Sequence, residues 1–224
     1  MHTFDAPAPI ALVLDVPAGR LQLIAGERRD ATVEVRPADA SRGRDVEAAE
    51  RIDVTCADGV LSVTAATPSG MRSLRDPGSV EVTVRLPAGS RVDVKASLAE
   101  LRGVGRLGDL AFKGAQATVK VDEADSARLA LQAGDITVGR LRGAAEISTE
   151  KGDIAVTEAV HGQVTLRTGH GAVTVGAARD VSAALDAGTA YGRVHNSLKN
   201  ADGAGAALQI HATTGYGDIT ARSL

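Results

Sequence analysis

A short pattern recurs through this chain and constrains its fold more than any other feature. In its clearest copy, Gly134-Asp135-Ile136-Thr137-Val138, a glycine turn leads into a strand of alternating apolar and polar residues. The later copies follow at spacings of 18, 19, 21 and 25 residues. Such a repeat indicates stacked units, because one unit alone cannot bury its apolar face. The copies start at Gly134, Gly152, Gly171, Gly192 and Gly217, after a weaker copy at Gly108.

A second alternating strand precedes each turn, as in Ala145-Glu146-Ile147-Ser148. Alternation indicates that one face of each strand is buried and the other is wet. Two strands and their turn form one rung, and rungs stacked about 4.8 Å apart would give two facing sheets about 10 Å apart. Aromatic residues make up only 2% of the chain, which favours a thin core of Val, Leu, Ile and Ala. The predicted fold class is therefore all-β, a two-faced β-solenoid-like stack of short strand repeats.

Alignment of the copies on the turn glycine predicts which side chains form the core. A slip of one residue would expose the whole set, so the alternation fixes the face. We expect one buried ladder after the turn and a second ladder facing it before the turn. The first consists of Ile136, Ile154, Val173, Val194 and Ile219, and the second of Leu129, Ile147, Leu166, Leu185 and Ile210.

The N-terminal part is strand-like but less regular. Val16-Pro17-Ala18-Gly19 and Leu86-Pro87-Ala88-Gly89 are matching turns before matching strands. We interpret residues 1–95 as an N-terminal antiparallel β package that caps the stack, and residues 96–224 as the repeat region of the same continuous fold. A helix of one or two turns is expected within residues 44–51, and a surface loop at residues 68–79.

This succession of motifs resembles the putative-adhesin β-strand-repeat family, the domain of unknown function 4097, in its actinobacterial form. The copies of Gly-Asp-Ile-Thr-Val carry the resemblance, together with Phe4-Asp5-Ala6-Pro7 near the start and Thr214-Gly215-Tyr216-Gly217-Asp218-Ile219-Thr220 near the end. It covers nearly the whole chain and implies a β-solenoid-like fold. The family offers no established catalytic residues to carry over, and its relatives include envelope-stress proteins with membrane segments.

Composition argues against several functional classes. A net charge of −3 lacks the basic footprint of a nucleic-acid binder. Cys56 is the only cysteine, so an intrachain disulfide and a multi-cysteine zinc site are excluded. No run approaches the roughly 18 apolar residues that a membrane span needs, and the N-terminus lacks the pattern of a signal peptide. We therefore expect a cytoplasmic location with no direct membrane insertion.

Acidic and histidine residues are the first candidates for a cation site. Four turn aspartates occupy equivalent positions, but Ala172 and Arg193 interrupt the column. Aspartate is a common turn former because its side chain accepts backbone N–H bonds, which favours a structural role. The histidines show no paired spacing on one face, and no nucleophile motif is present. We therefore predict no metal, no cofactor and no catalytic residues. The aspartates are Asp109, Asp135, Asp153 and Asp218.

The last two copies of the repeat depart from the pattern and provide the candidate site. They hold both tyrosines of the chain and two histidines, which suits either ligand contact or packing at the end of the stack. Alignment also predicts that Arg167, Asp186 and His211 form a basic–acidic–basic ladder on three successive rungs, as cross-strand neighbours. The candidate ligand or partner surface comprises Arg167, Asp186, Tyr191, His195, His211 and Tyr216.

Three functional hypotheses follow. The first is a non-enzymatic binding or scaffold module that presents a rigid β surface to a protein or another ligand. The second is an enzyme with a shallow site near the last two rungs. The third, suggested by the family alone, is a cytoplasmic regulatory partner in an envelope-stress system. A protein partner or self-association through the C-terminal end is expected, because the last strand lies just before Leu224 and an open rung offers unpaired N–H and C=O groups.

Overall fold

Strands make up most of the chain, as the alternation predicts. The computed structural model describes residues 1–66 and 78–224, so the predicted surface loop at 68–79 lies mostly outside the described residues. One α-helix, α1 (Gly43–Glu50), falls at the predicted position. The strands are β1 (His2–Asp5), β2 (Ala11–Asp15), β3 (Ala18–Gly26), β4 (Asp30–Pro37), β5 (Ile52–Ala57), β6 (Val60–Ala65), β7 (Val80–Pro87), β8 (Arg91–Ala133), β9 (Ile136–Leu141), β10 (Ala145–Lys151), β11 (Ile154–Ala159), β12 (Gly162–His170), β13 (Val173–Ala177), β14 (Ala183–Tyr191), β15 (Val194–Ser197), β16 (Leu208–Tyr216) and β17 (Ile219–Ser223).

The repeats stack in parallel as two columns of strands, which confirms the β-solenoid-like fold. In one column, the second part of β8 pairs with β10 and then β12; in the other, β8, β9, β11 and β13 follow one another. Ile154 aligns with Ile136 on one side and with Val173 on the other. All three side chains are buried. The long strand β8 belongs to both columns. Its residues keep pairing with neighbouring strands where the chain bends from one column to the other.

The N-terminal region contains three antiparallel pairs, β1 with β4, β4 with β7 and β5 with β6. The structure adds parallel pairs there as well. Strands β2 and β3 each pair in parallel with β8, so the stack starts near residue 11. One buried core extends from Ala6 to Ala221 and continues across residue 95. The antiparallel strands thus lie at the N-terminal end of a single core.

The last two rungs stack in an order different from their order in the chain. Strand β16 pairs with β12 on one side and β14 on the other, and β17 lies between β13 and β15. The C-terminal rung is therefore inserted, and β14–β15 is the end rung. Side-chain hydrogen bonds follow the same order: Thr214 donates to the carbonyl oxygen of Gly171 at 2.9 Å, and Thr189 donates to that of Gly217 at 3.0 Å.

This order corrects two parts of the sequence prediction. Eight of the ten predicted core residues are buried, but Val194 is 42% exposed and Leu185 is only half-buried. Both lie on the end rung, which no rung of the described chain covers. The register also differs, because Leu185 and Ile210 align with Val164 rather than with Leu166. The predicted register is two residues off because Leu166 lies five residues before its turn glycine, whereas Leu185 and Ile210 each lie seven residues before theirs.

The turn glycines are required by the close approach of neighbouring rungs. Gly171 has φ +151°, and a Cβ there would lie 2.0 Å from the carbonyl oxygen of Gly152. Gly188, in the end rung, has nothing within 4 Å of an added Cβ. We expect Gly171→Ala to destabilise the protein by about 3 kcal/mol, since both backbone strain and overlap must be relieved.

Gly188→Ala is the matched control and should change stability by less than about 0.5 kcal/mol. Urea unfolding measures both effects, provided that each variant keeps the m-value of the wild type. Equal midpoints for Gly171→Ala and the wild type would show that the turn tolerates a Cβ, contrary to this prediction.

Candidate functional site

The end rung leaves one side of its two strands open. Among the described residues, β14 pairs only with β16, and β15 pairs only with β17. On the open side the amide of Ala183 donates to the carbonyl oxygen of Lys199 at 3.0 Å. Because backbone groups point alternately to the two sides of a strand, the amides of Leu185 and Ala187 also point to the open side. Beyond Ala183, the edge offers its backbone groups to solvent.

The sequence of this edge lacks the devices that usually protect a sheet edge. Exposed edges are commonly blunted by proline, by lysine or by bulges. Neither β14 nor β15 contains a proline or a lysine, and Asp186 is the one acidic residue in the two strands. The prediction that the chain's last rung is the open one is wrong, because β17 has neighbours on both sides. The available edge belongs to β14–β15 instead.

Three aromatic rings form a ladder along the corner that leads to the end rung. Tyr216 stacks on His170 with centroids 4.9 Å apart, and Tyr191 stacks on Tyr216 at 4.7 Å, with 6° between the planes in each pair. The ladder exists because each ring directly precedes a turn glycine, so the rungs place the rings in register. Tyr191 is 66% exposed and Tyr216 is 51% exposed. We name these three residues the aromatic ladder.

The sequence prediction paired the two tyrosines but missed His170. The sequence did contain a signal for His170, because His170 directly precedes the turn glycine Gly171 just as Tyr191 precedes Gly192. The earlier rungs carry Lys151 and Ala133 at this place, so the ladder is confined to the last three rungs in space. Among the described residues, its terminal member, Tyr191, has a neighbouring ring on one side only.

Asp186 and His211 are neighbours, as predicted, but Arg167 does not join them. His211 Nδ1 lies 3.3 Å from the Asp186 carboxylate, at side-chain exposures of 43% and 83%. Arg167 aligns with Thr213 and, one rung further, with Gly188. The predicted three-membered ladder is therefore wrong in its order, because Asp186 lies on the end rung and has only His211 beside it.

His195 lies on the opposite outer face from this pair. It aligns with Thr220 in the β15–β17 column, next to the inward position of Val194 and Ile219. The six predicted site residues thus occupy separate places. The tyrosines lie at the corner, Asp186 with His211 on one face, and His195 on the other. Three of the six lie on the end rung itself, and His211 and Tyr216 lie on the rung next to it.

Three of the four predicted turn aspartates have the structural role that the sequence favoured, whereas Asp109 lies within β8 and accepts from the hydroxyl of Ser126 at 2.6 Å. The Asp135 carboxylate accepts from the amide of Asp153 at 2.9 Å, and Asp153 accepts from Ala172 at 2.7 Å. The Asp218 carboxylate accepts from the amide of Arg193 in the end rung at 2.8 Å. Each of these three carboxylates thus satisfies a backbone donor of the next rung. Arg193 replaces the aspartate in the end rung, where no further rung follows among the described residues.

Three other features of the described residues bear on function: metal-binding clusters, membrane-spanning helices and a groove. Within the described ranges, no three His, Cys, Asp or Glu side chains come together in a way that could hold a metal ion. None of the described helices is long and apolar enough to cross a membrane. A groove of about 700 Å³ lies beside α1 and is lined by Pro17, Ala48, Lys95 and Lys113, among others. It contains no residue of β14 to β17, and its rim includes Gly78, next to residues outside the described ranges.

Comparisons with known proteins give a family and two distant structures. The Toastrack DUF4097 family model matches residues 11–222. Comparison with the curated proteins found no match. A solved putative cell adhesion protein from Clostridium sporogenes is 14% identical, with a TM-score of 0.39, and covers 100% of this chain and 98% of its own. A solved putative adhesin from Bacteroides fragilis is 11% identical, with a TM-score of 0.45, and covers 98% of this chain and 95% of its own. Likenesses this distant say nothing about function.

Proposed function

Because the chain belongs to the Toastrack DUF4097 family, we propose that it is a non-enzymatic binding module whose end rung takes up an extended segment of a protein partner. The fold indicates a binding or scaffold role in general terms. The observation that carries the finer proposal is the open, unprotected edge of β14 and β15. The cytoplasmic location and the envelope-stress role remain predictions.

An open strand edge recognises protein by adding one more strand. Main-chain hydrogen bonds then provide affinity, and alternate side chains provide specificity. The outward amides at Leu185 and Ala187 are available for this pairing, whereas Ala183 is already bonded to Lys199. The edge is therefore open over residues 185–191, which is the length of a short strand.

The exposed side chains at this edge are suited to anchoring a protein segment. Tyrosine is enriched among residues that dominate binding energy, because it contributes a large rigid surface and a polar tip. Tyr191 and Tyr216 are both more than half exposed, and Val194 adds apolar surface at 42% exposure. The stacking of Tyr216 on both His170 and Tyr191 orders the ladder before any partner arrives, which reduces the entropy lost on binding.

The alternative of an enzyme with a shallow site is less favoured by this geometry. An acid–base pair acts best in a concave site that excludes water. Asp186 and His211 lie on an outer strand face, and the carboxylate side chain is 83% exposed. An exposed carboxylate–imidazole pair of this kind typically contributes about 1 kcal/mol or less to stability. A surface contact accounts for the pair without catalysis.

Selection from a library of random peptides of about ten residues, the length of an added strand, tests the proposal. We expect selected peptides to bind the wild-type protein and to slow hydrogen exchange at the amides of Leu185 and Ala187. Ala187→Pro should abolish this binding, because proline removes the outward N–H while the bonds to β16 persist. Ala187→Val keeps the N–H and is the matched control. Peptides whose binding is unaffected by Ala187→Pro would contradict the proposal.

A further inference from the structure

We infer that the partner that completes the end rung is a second copy of this chain, docked end to end through β14 and β15. This inference rests on the proposed function, since it names the occupant of the same edge. Three properties of the end rung favour an identical rung over another strand: the directions of its two strands, the free face of its aromatic ladder and the placement of its charges.

The directions of the strands make the end rung complementary to itself. Only Gly192 and Arg193 separate β14 from β15, and a two-residue turn between strands that face each other across one core returns the chain in the opposite direction. A two-fold axis parallel to the strands brings β14 of one copy over β15 of the other in antiparallel orientation. Both open edges are then paired at once, whereas a single added strand would pair only one. Such an isologous contact is closed and stops at a dimer.

The same axis extends the aromatic ladder. Tyr191 lies at the corner between β14 and β15, so the axis keeps it at the same corner in both copies. Its free face can then stack on the Tyr191 of the second copy, at a spacing like the 4.7 Å between Tyr191 and Tyr216. Six rings would form one continuous stack across the interface. Stacked aromatic pairs contribute to binding beyond the area they bury.

The charges of the end rung are also complementary under this axis. Asp186 points outward from β14 and His195 points outward from β15, on opposite faces of one copy. The two-fold axis places Asp186 of each copy on the same face as His195 of the other. Each carboxylate then lies on the face that carries the imidazole of the other copy, and the two Asp186 carboxylates lie on opposite faces. The bend that begins at Lys199 bonds the amide of Ala183 and the hydroxyl of the preceding Ser182, so pairing with a second copy is confined to the residues that follow, 185–191.

Sedimentation velocity over a concentration series measures the association. An interface of one two-stranded rung is small, so we expect a monomer of 22.8 kDa in equilibrium with a dimer, with a dissociation constant on the order of 10 µM. Tyr191→Ala should weaken dimerisation at least about tenfold, because it removes the central ring pair. Tyr191→Phe keeps the ring and should dimerise within about twofold of the wild type.

Ala187→Pro provides a second, independent disruption through the backbone and should also give monomers, with a far-ultraviolet circular dichroism spectrum like that of the wild type. A wild-type protein that stays monomeric up to about 0.5 mM, or a dimer that persists in both Tyr191→Ala and Ala187→Pro, would overturn the inference. Peptide binding at protein concentrations below the dimer range tests the proposed function separately. A monomer that still binds peptides at β14 would sink the dimer but keep the binding module.

Discussion

Removal of the C-terminal rung, residues 208–224, should destabilise the protein by about 5 kcal/mol or more. This rung lies between β12–β13 and the end rung, so its loss breaks ladders on both sides. Leu208, Ile210 and Ile219 are fully buried within it. Each large apolar side chain of this kind contributes about 1.5–3 kcal/mol through burial. We expect a low unfolding midpoint or an insoluble product.

The matched control is deletion of residues 183–207, which removes the end rung and joins residue 182 directly to β16. Strand β16 already pairs with β12, so the remaining rungs keep their order. Ala183 is the only fully buried apolar residue of the two deleted strands. This variant should unfold cooperatively at a midpoint close to that of the full chain. Urea unfolding of both deletions decides the matter. If the loss of 208–224 proves no more harmful than the loss of 183–207, the inserted position of the C-terminal rung is refuted.

Ile154→Asp should cost about 4 kcal/mol or more, enough to unfold most of the protein at ambient temperature. Ile154 is 1% exposed and lies between Ile136 and Val173 in the buried ladder. An aspartate there would bury a carboxylate without a partner, and proton uptake would relieve only part of the cost.

Ala155→Asp places the same side chain one residue further along β11, on the outer face beside Thr137 and Thr174. It should change stability by less than about 1 kcal/mol. Thermal unfolding followed by circular dichroism compares the two variants. Equal unfolding temperatures would mean that alternation does not separate a buried face from a wet one in this strand, which would remove the basis of the fold assignment.

The repeat core was predictable because its rule is local. Each strand of the stack alternates with a period of two, so a residue such as Ile147 must face inward wherever its rung lies. The turn aspartates were predictable for the same reason, since a turn carboxylate needs only the backbone of the adjacent rung, as Asp153 finds at Ala172. The short helix at α1 also followed from local composition.

The candidate site was only partly predictable, since it depends on which rung is last in space. The sequence identified Tyr191 and Tyr216 as neighbours but placed Asp186 between Arg167 and His211. Two residues could have marked β14–β15 as the end rung. Asn196 occupies the inward position that Ala221 fills in β17, and Arg193 replaces the turn aspartate. A polar inward residue is tolerable only where the core is open to solvent.

The faces of the strands, the turns and the existence of the stack follow from neighbours within a few residues along the chain. The order of the last two rungs depends instead on long-range packing. The inward residues of β14 and β16 are similar in kind, so either strand could pair with β12 on pattern alone. The more apolar rung, with Ile210 and Ile219, takes the interior position, where burial stabilises it most. The rung with Asn196 takes the end, and its open edge follows from that choice.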